Sequence, residues 1–171
     1  MPVPAVLITG DTITSAPWLA DTSIRYRLLY DDPTRLHAYA DNRWIASPAE
    51  LMQMRLQLAL GNVDANAAPS SGVAHYRLQV ELLDFEQLFD TPQSSRVSAR
   101  AEAALLNISS GAMLAKHRFA VTLTTSPDVQ GAVQGSARAT DQLLRQIVQW
   151  TAEQLSGVSQ GPTHLPNAPK P

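Results

Sequence analysis

Arg25, Arg27, Arg35, Arg77, Arg96, Arg100, Lys116 and Arg118 all fall on the polar phase of alternating apolar–polar segments. Eight of the thirteen basic residues thus share one face of a chain whose formal charge is −2. Guanidinium groups recognise carboxylates and phosphates through paired hydrogen bonds, so this pattern suits an anionic partner. On the same phase the sequence sets only Glu81 and Glu102 against them. Arg25, Arg27, Arg77, Arg96, Arg100 and Arg118 are the expected partner-binding residues. The plainer reading is a solvated face whose charges discourage strand-to-strand aggregation. A nucleic-acid surface would interleave aromatics for base stacking, and this face offers at most Tyr39 and His37. No nucleic-acid partner is expected.

Other reactive types are sparse. Ile8-Thr9-Gly10-Asp11-Thr12 ends an apolar run on a hydroxyl, so Thr12 is a candidate nucleophile or simply part of a strand-end turn. His37, His75, His117 and His164 show neither i,i+4 pairing nor carboxylate spacing, so no metal site is expected. His117 falls on the apolar phase of its segment and reads as a core or rim histidine. Trp44 could stack on a ligand, but a packing anchor between hairpin and helix is the simpler role. The chain has no phosphate-binding glycine loop and no cysteine, which removes thiol catalysis, disulfides and Cys-based zinc sites. No cofactor is expected.

The elements that must carry these residues are readable from their periods. Ile24, Tyr26, Leu28 and Tyr30 alternate with polar neighbours, Asp31-Asp32-Pro33-Thr34 supplies a turn, and Arg35 to Ala40 returns as a second strand. Ser47-Pro48-Ala49-Glu50 has capping-box spacing with proline at the first helical position. Leu51, Met54, Leu58 and flanking apolar positions give that helix an expected wide buried stripe. Gly61-Asn62 is expected to end it, and after a loop over 64–72 three long strands alternate from Ala74, from Arg96 and from Met113. Asp90–Ser95 and Asn107–Gly111 read as their connections. Gly131–Ser156 is a second amphipathic helix, with Ala137, Thr140, Leu144, Ile147 and Thr151 on one face. With Val6–Thr9 as an opening strand, the order β-β-β-α-β-β-β-α predicts an α+β two-layer sandwich. Its largely antiparallel sheet would carry two helices on one face.

At 171 residues, 44% hydrophobic and 16% charged, the chain fits one domain able to bury about 70% of its unfolded surface. That domain is expected over 1–156, with a disordered Pro/Gly-rich tail at 157–171. No apolar run reaches the ~18 residues a membrane-spanning helix requires.

Tyr39, Asn42-Arg43-Trp44, Pro48 and the Leu-rich helix after them resemble a motif of the ABC-type transport auxiliary lipoproteins. The likeness continues through Tyr76-x-Leu78-x-Val80, Asp84-Phe85-Glu86-Gln87 and a closing helix near Trp150, covering roughly 6–155. That family includes the C component of the paraquat-inducible Pqi system. The resemblance implies Tyr39, Arg43, Trp44 and Pro48 as structural motif residues. It also implies a non-enzymatic lipoprotein anchored to the outer membrane from the periplasm. Such a protein would be a homo-oligomer assembled with an MCE-domain protein and its ABC transport system, moving phospholipid. Family precursors carry a signal that ends in a lipidated cysteine. MPVPAVLITG lacks such a leader, so membrane contact is expected through an N-terminal lipid attached upstream of this sequence. A competing likeness is to the GDSL-type esterases, which place a serine nucleophile where Thr12 stands. Their Asp-x-x-His is missing, since Gly161 lies three residues before His164. A third reading is a stand-alone module that binds an anionic partner through its basic face.

Overall fold

A computed structural model describes residues 6–10, 12–60 and 74–158. The expected helix stop at Gly61-Asn62, the 64–72 loop and residues 159–171 of the expected tail lie outside the described residues. The elements are β1 (Val6–Gly10), β2 (Thr14–Ser15), β3 (Ser23–Leu28), β4 (Leu36–Arg43), α1 (Pro48–Leu60), β5 (Ala74–Thr91), β6 (Ser94–Asn107), β7 (Met113–Thr125) and α2 (Val129–Val158). All strands join one mostly antiparallel sheet in the order β4-β3-β5-β6-β7. The fold class is the expected one, an α+β sheet with two helices packed on it.

Three short strands line up along one edge of β5, all parallel to it. β1 pairs with Ala74–Leu78, β2 with Glu81 and Leu82, and β3 with Gln87–Phe89. This is possible because β5 is 18 residues long, about 60 Å at 3.3 Å per residue. The sequence expectation was a shorter strand, with Asp90–Ser95 as the connection. Instead, ladder pairing runs on to Thr91 with Ser94, leaving a tighter turn. A register shift between Leu82 and Asp84 explains why the alternation stops being readable there. The extra residue resets the phase, so that Phe85, Gln87 and Phe89 face the helices together with Leu78, Val80 and Leu82.

β6 lies between β5 and β7 and turns Val97, Ala99, Ala101, Ala103 and Leu105 inward, all fully buried. Its alanines let α2 sit close to the sheet. Gly135 belongs to the same approach, because a Cβ there would collide with the Thr125 and Val97 side chains of β7 and β6. α2 buries Ala132, Ser136, Ala139, Thr140, Leu143, Leu144, Ile147, Thr151 and Leu155 against this floor. Asp128 caps it, its carboxylate accepting the Gly131 N–H at 2.7 Å. The helix therefore starts two residues before the expected Gly131 and includes Gly157 and Val158, which were assigned to the tail.

α1 begins as expected. The Glu50 carboxylate accepts the Ser47 N–H at 2.8 Å, and the Ser47 hydroxyl lies 3.4 Å from the Glu50 N–H. Its buried stripe is not the expected one. Met52 and Leu56 are 1% exposed, whereas Met54 and Leu58 are 61% and 76% exposed. Apolar residues nearly encircle this helix, so periodicity could not choose a face. The choice was made by the sheet and by Gln53, whose carboxamide oxygen accepts the Ile13 N–H at 2.6 Å.

Candidate functional site: the ion-paired open face of the sheet

The helices cover one face of the sheet and leave the other open. Cross-strand register places the cationic side chains on that open face. Arg27 stands beside Leu88, Arg77 opposite Leu106, Arg96 opposite Leu88, Arg100 opposite Asp84, and Arg118 opposite Glu102. Arg25 precedes Arg27 on the same phase of β3. Arg35 is corrected: it sits in the β3–β4 turn, ahead of β4, and is not a strand residue of this face.

The face is not the bare basic surface the sequence suggested. Arg25 bonds Asp21 at 2.6 Å, Arg27 bonds Glu86 at 3.2 Å, and Arg96 bonds Asp90 at 3.0 Å. Arg100 pairs with Asp84, and Glu102 holds both Lys116 at 2.7 Å and Arg118 at 2.8 Å. Two of these carboxylates, Asp84 and Glu86, were invisible on the basic face because the bulge near Leu83 changes the phase of β5. The result is an interlaced sheet of charges close to neutral. Its exposed end lies toward β7, where the Arg100 and Arg118 side chains are 57% and 78% exposed.

Electrostatics divide the carboxylates. Hydrogen bonds from Lys116 and Arg118 hold Glu102 below its usual value. Asp21 is lowered chiefly by the Ser23 backbone N–H, with Arg25 adding to it. Glu86 moves the other way, because burial penalises its charge more than Arg27 relieves it.

Tyr39 and His37, assigned to the basic face from their phase, belong to the opposite side. Tyr26 stacks on His37 at 5.0 Å, meets Tyr39 at 4.7 Å and turns its edge to Phe89 at 5.9 Å. The Tyr39 hydroxyl donates to Gln87 Oε1 at 2.7 Å, and burial pushes its pKa up to about 12. Gln87 Nε2 in turn donates toward Ser95 Oγ at 2.9 Å, the Ser126 carbonyl at 3.0 Å and the Asp128 carbonyl at 3.2 Å. One buried carboxamide thus ties β4, β5, β6 and the entry to α2 together.

The remaining candidates have structural surroundings. Trp44 is half-buried, its ring 5.9 Å from Phe85, and its backbone N–H donates to the Thr22 carbonyl at 2.7 Å. It packs against the core cluster, which includes Phe85 of β5 and Met52 and Leu56 of α1. Arg43 is exposed at the end of β4, and Pro48 is buried at the start of α1. His117 is a rim residue, exposed, edge-on to Phe119 at 4.8 Å and stacked with Trp150 at 6.3 Å. Thr12 borders a groove of about 340 Å³ together with Thr14, Gln79, Glu81, Glu102, Met113 and Lys116. Its titratable groups are carboxylates and a lysine, with no histidine to serve as base. A second, apolar cleft of about 650 Å³ runs between α1 and α2, lined by Leu58, Ala59, Leu144 and Val148. No described helix is long and apolar enough to cross a membrane.

The ion-paired sheet face thus lies opposite the two-helix layer. The family model of the ABC-type transport auxiliary lipoprotein component matches residues 4–148, and the chain belongs to that family. Among solved structures, it is similar to protein XCC0632 from Xanthomonas campestris. That match has a TM-score of 0.78 and 20% identity, and covers 94% of this chain and 92% of that one. A candidate lipoprotein from Caulobacter crescentus CB15 aligns with a TM-score of 0.50 at 20% identity, over 64% of this chain and 84% of that one. The protein CT253 from Chlamydia trachomatis gives 0.52 at 11% identity, over 90% and 99%. These likenesses concern the fold. No curated protein matches the sequence.

Proposed function

We propose that this auxiliary component is a non-catalytic periplasmic lipoprotein of an MCE-type intermembrane lipid transport system. It is held at the outer membrane by an N-terminal lipid and assembles with copies of itself and with an MCE-domain partner. The observation that carries the reading is the family match across nearly all of the folded domain. The open face supports it: a broad surface of fixed, alternating charges suits registration against a complementary protein surface better than turnover of a substrate. Arg25, Arg27, Arg77, Arg96, Arg100 and Arg118 are the proposed docking residues, with the exposed pair Arg100 and Arg118 foremost.

Arg100→Glu combined with Arg118→Glu sets carboxylates against Asp84 and Glu102 and turns that end of the face acidic. Both side chains point away from the core, so the variant is expected to fold, with a small loss of stability. Co-purification and sizing with the MCE-domain protein should show association in the wild type and its loss in the double variant. Wild-type association should also weaken between about 0.1 M and 1 M salt, as the Debye length falls from about 10 Å to 3 Å. Association unchanged by both manipulations would remove this face from the docking surface. Turnover of an acyl ester that Thr12→Ala abolishes would overturn the non-catalytic reading.

A further inference from the structure

The two ends of the sheet differ in chemistry. At one end stand the Asp31–Arg35 turn and the β5–β6 turn flanked by Asp90. They lie together because Leu28 pairs with Phe89 in parallel register. Among the described residues, the other end carries the β6–β7 hairpin. Between Glu102 and Lys116 the sequence holds no charged residue. Here Ile108, Met113 and Leu114 stand 43%, 56% and 38% exposed. Large apolar side chains are thus displayed on a strand connection that carries no charge to keep it in water.

The hairpin is also built to lose water cheaply. Asn107 Oδ1 accepts the N–H groups of Ser109 at 2.9 Å and Ser110 at 3.1 Å. The Asn107 carbonyl accepts from Gly111 at 2.9 Å, and the Asn107 N–H donates to Ala112 at 2.9 Å. Gly111, at φ +69°, takes the left-handed conformation that closes the turn. Backbone groups paired internally do not oppose transfer toward an apolar medium.

The chain enters the sheet at this same end. Val6, the first residue of β1, registers with Ala74, and the Ile108 N–H donates to the neighbouring His75 carbonyl at 2.9 Å. β1 therefore begins beside the apolar hairpin. We infer that the β6–β7 hairpin tip is a membrane-contacting surface. Ile108, Met113 and Leu114 enter the interfacial layer of a phospholipid bilayer, and the charged turns point away from it. This rests on the lipoprotein reading, in which a lipid ahead of β1 brings this end to the membrane. It adds a second contact, which converts a loose tether into a fixed orientation of the open face.

The absence of cysteine allows one label per molecule. An environment-sensitive fluorophore is placed at position 113 through Met113→Cys, or at the opposite end through Gln93→Cys. The full chain is tethered by an N-terminal histidine tag to vesicles of phosphatidylethanolamine and phosphatidylglycerol containing a nickel-chelating lipid. A blue shift at position 113 and none at 93 is the expected result. Ile108→Asp with Leu114→Asp should abolish the shift while leaving the circular dichroism unchanged. No shift at 113, equal shifts at both positions, or a shift that needs protein concentration rather than vesicles overturns the inference. So does a shift produced by the MCE-domain protein and not by vesicles, which would make the tip a protein-docking site. The artificial tether reads the contact whether or not the native chain is lipidated. Lipidation is scored separately, by incorporation of labelled fatty acid into the product of the native gene.

Discussion

Gln87 illustrates how a polar residue can be the least replaceable one in an apolar layer. It is 1% exposed and offers one acceptor to Tyr39 and two donors to a ring of oxygens. Gln87→Leu keeps the volume but removes the acceptor of the Tyr39 hydroxyl and the donor to Ser95 Oγ, while the Ser126 and Asp128 carbonyls keep the N–H groups of Asp128 and Ala132. A polar group left without its partner costs about 1–3 kcal/mol, and a loss in that range is expected by urea denaturation. Gln87→Glu should be no milder, because it sets a carboxylate oxygen where the ring of oxygens needs a donor. Its neighbour Glu86 points to the other face and gives a pH signature. Its folded pKa is raised by burial, so the folded state binds its proton more tightly than the unfolded chain, whose value is about 4.3. The associated stability is present below that value and lost as pH rises through the folded pKa. The stability of wild type relative to Glu86→Gln should therefore shrink as pH rises above the unfolded value of about 4.3. A difference that grows with pH would mean that attraction to Arg27 outweighs burial.

At the scale of the element, α1 and α2 bury their faces for different reasons. In α2, apolar and small residues recur at helical spacing against polar neighbours, so the buried face follows from the pattern. In α1, Leu51, Met52, Met54, Leu56 and Leu58 leave little polar contrast. Leu56→Ala should cost about 2–5 kcal/mol, as expected where a buried leucine leaves a cavity. Leu58→Ala, on the same helix two residues away, should change stability by less than about 0.5 kcal/mol. Chemical denaturation of the two variants reads the orientation of α1 directly. Equal costs would show that Leu58 is covered in solution.

For the whole molecule, one core cluster draws on both helices and on β5, β6 and β7, with Ile13 and Leu19 closing its edge. Nothing in that cluster divides into halves that could melt alone. Far- and near-ultraviolet circular dichroism should report a single transition with coincident midpoints. Two separated transitions would mean that the β3–β4 hairpin, joined to the rest through β5, Trp44 and Gln87, unfolds on its own.

Local chemistry was legible where one residue type does one job. The Ser47–Glu50 box, the Asp31–Thr34 turn and the alternation of β6 each depend on neighbours within a few positions. They determined element type, order and fold class. The family signature at Tyr39, Asn42-Arg43-Trp44 and Pro48 was legible too, although the work its residues do was not. Tyr39 faces Gln87 and Trp44 faces Phe85, contacts between strands that one-dimensional spacing does not express. The open face shows the same limit. Its arginines could be placed by alternation, since side chains on a strand repeat every two residues. Their partners could not, because a single extra residue at Leu83 reverses the phase of β5 and delivers Asp84 and Glu86 to the arginines. The sequence by itself determined which residues could be charged, buried or capped. Only the tertiary structure decided which charges meet, because pairing depends on register between strands, and register is set by bulges and packing across the whole sheet.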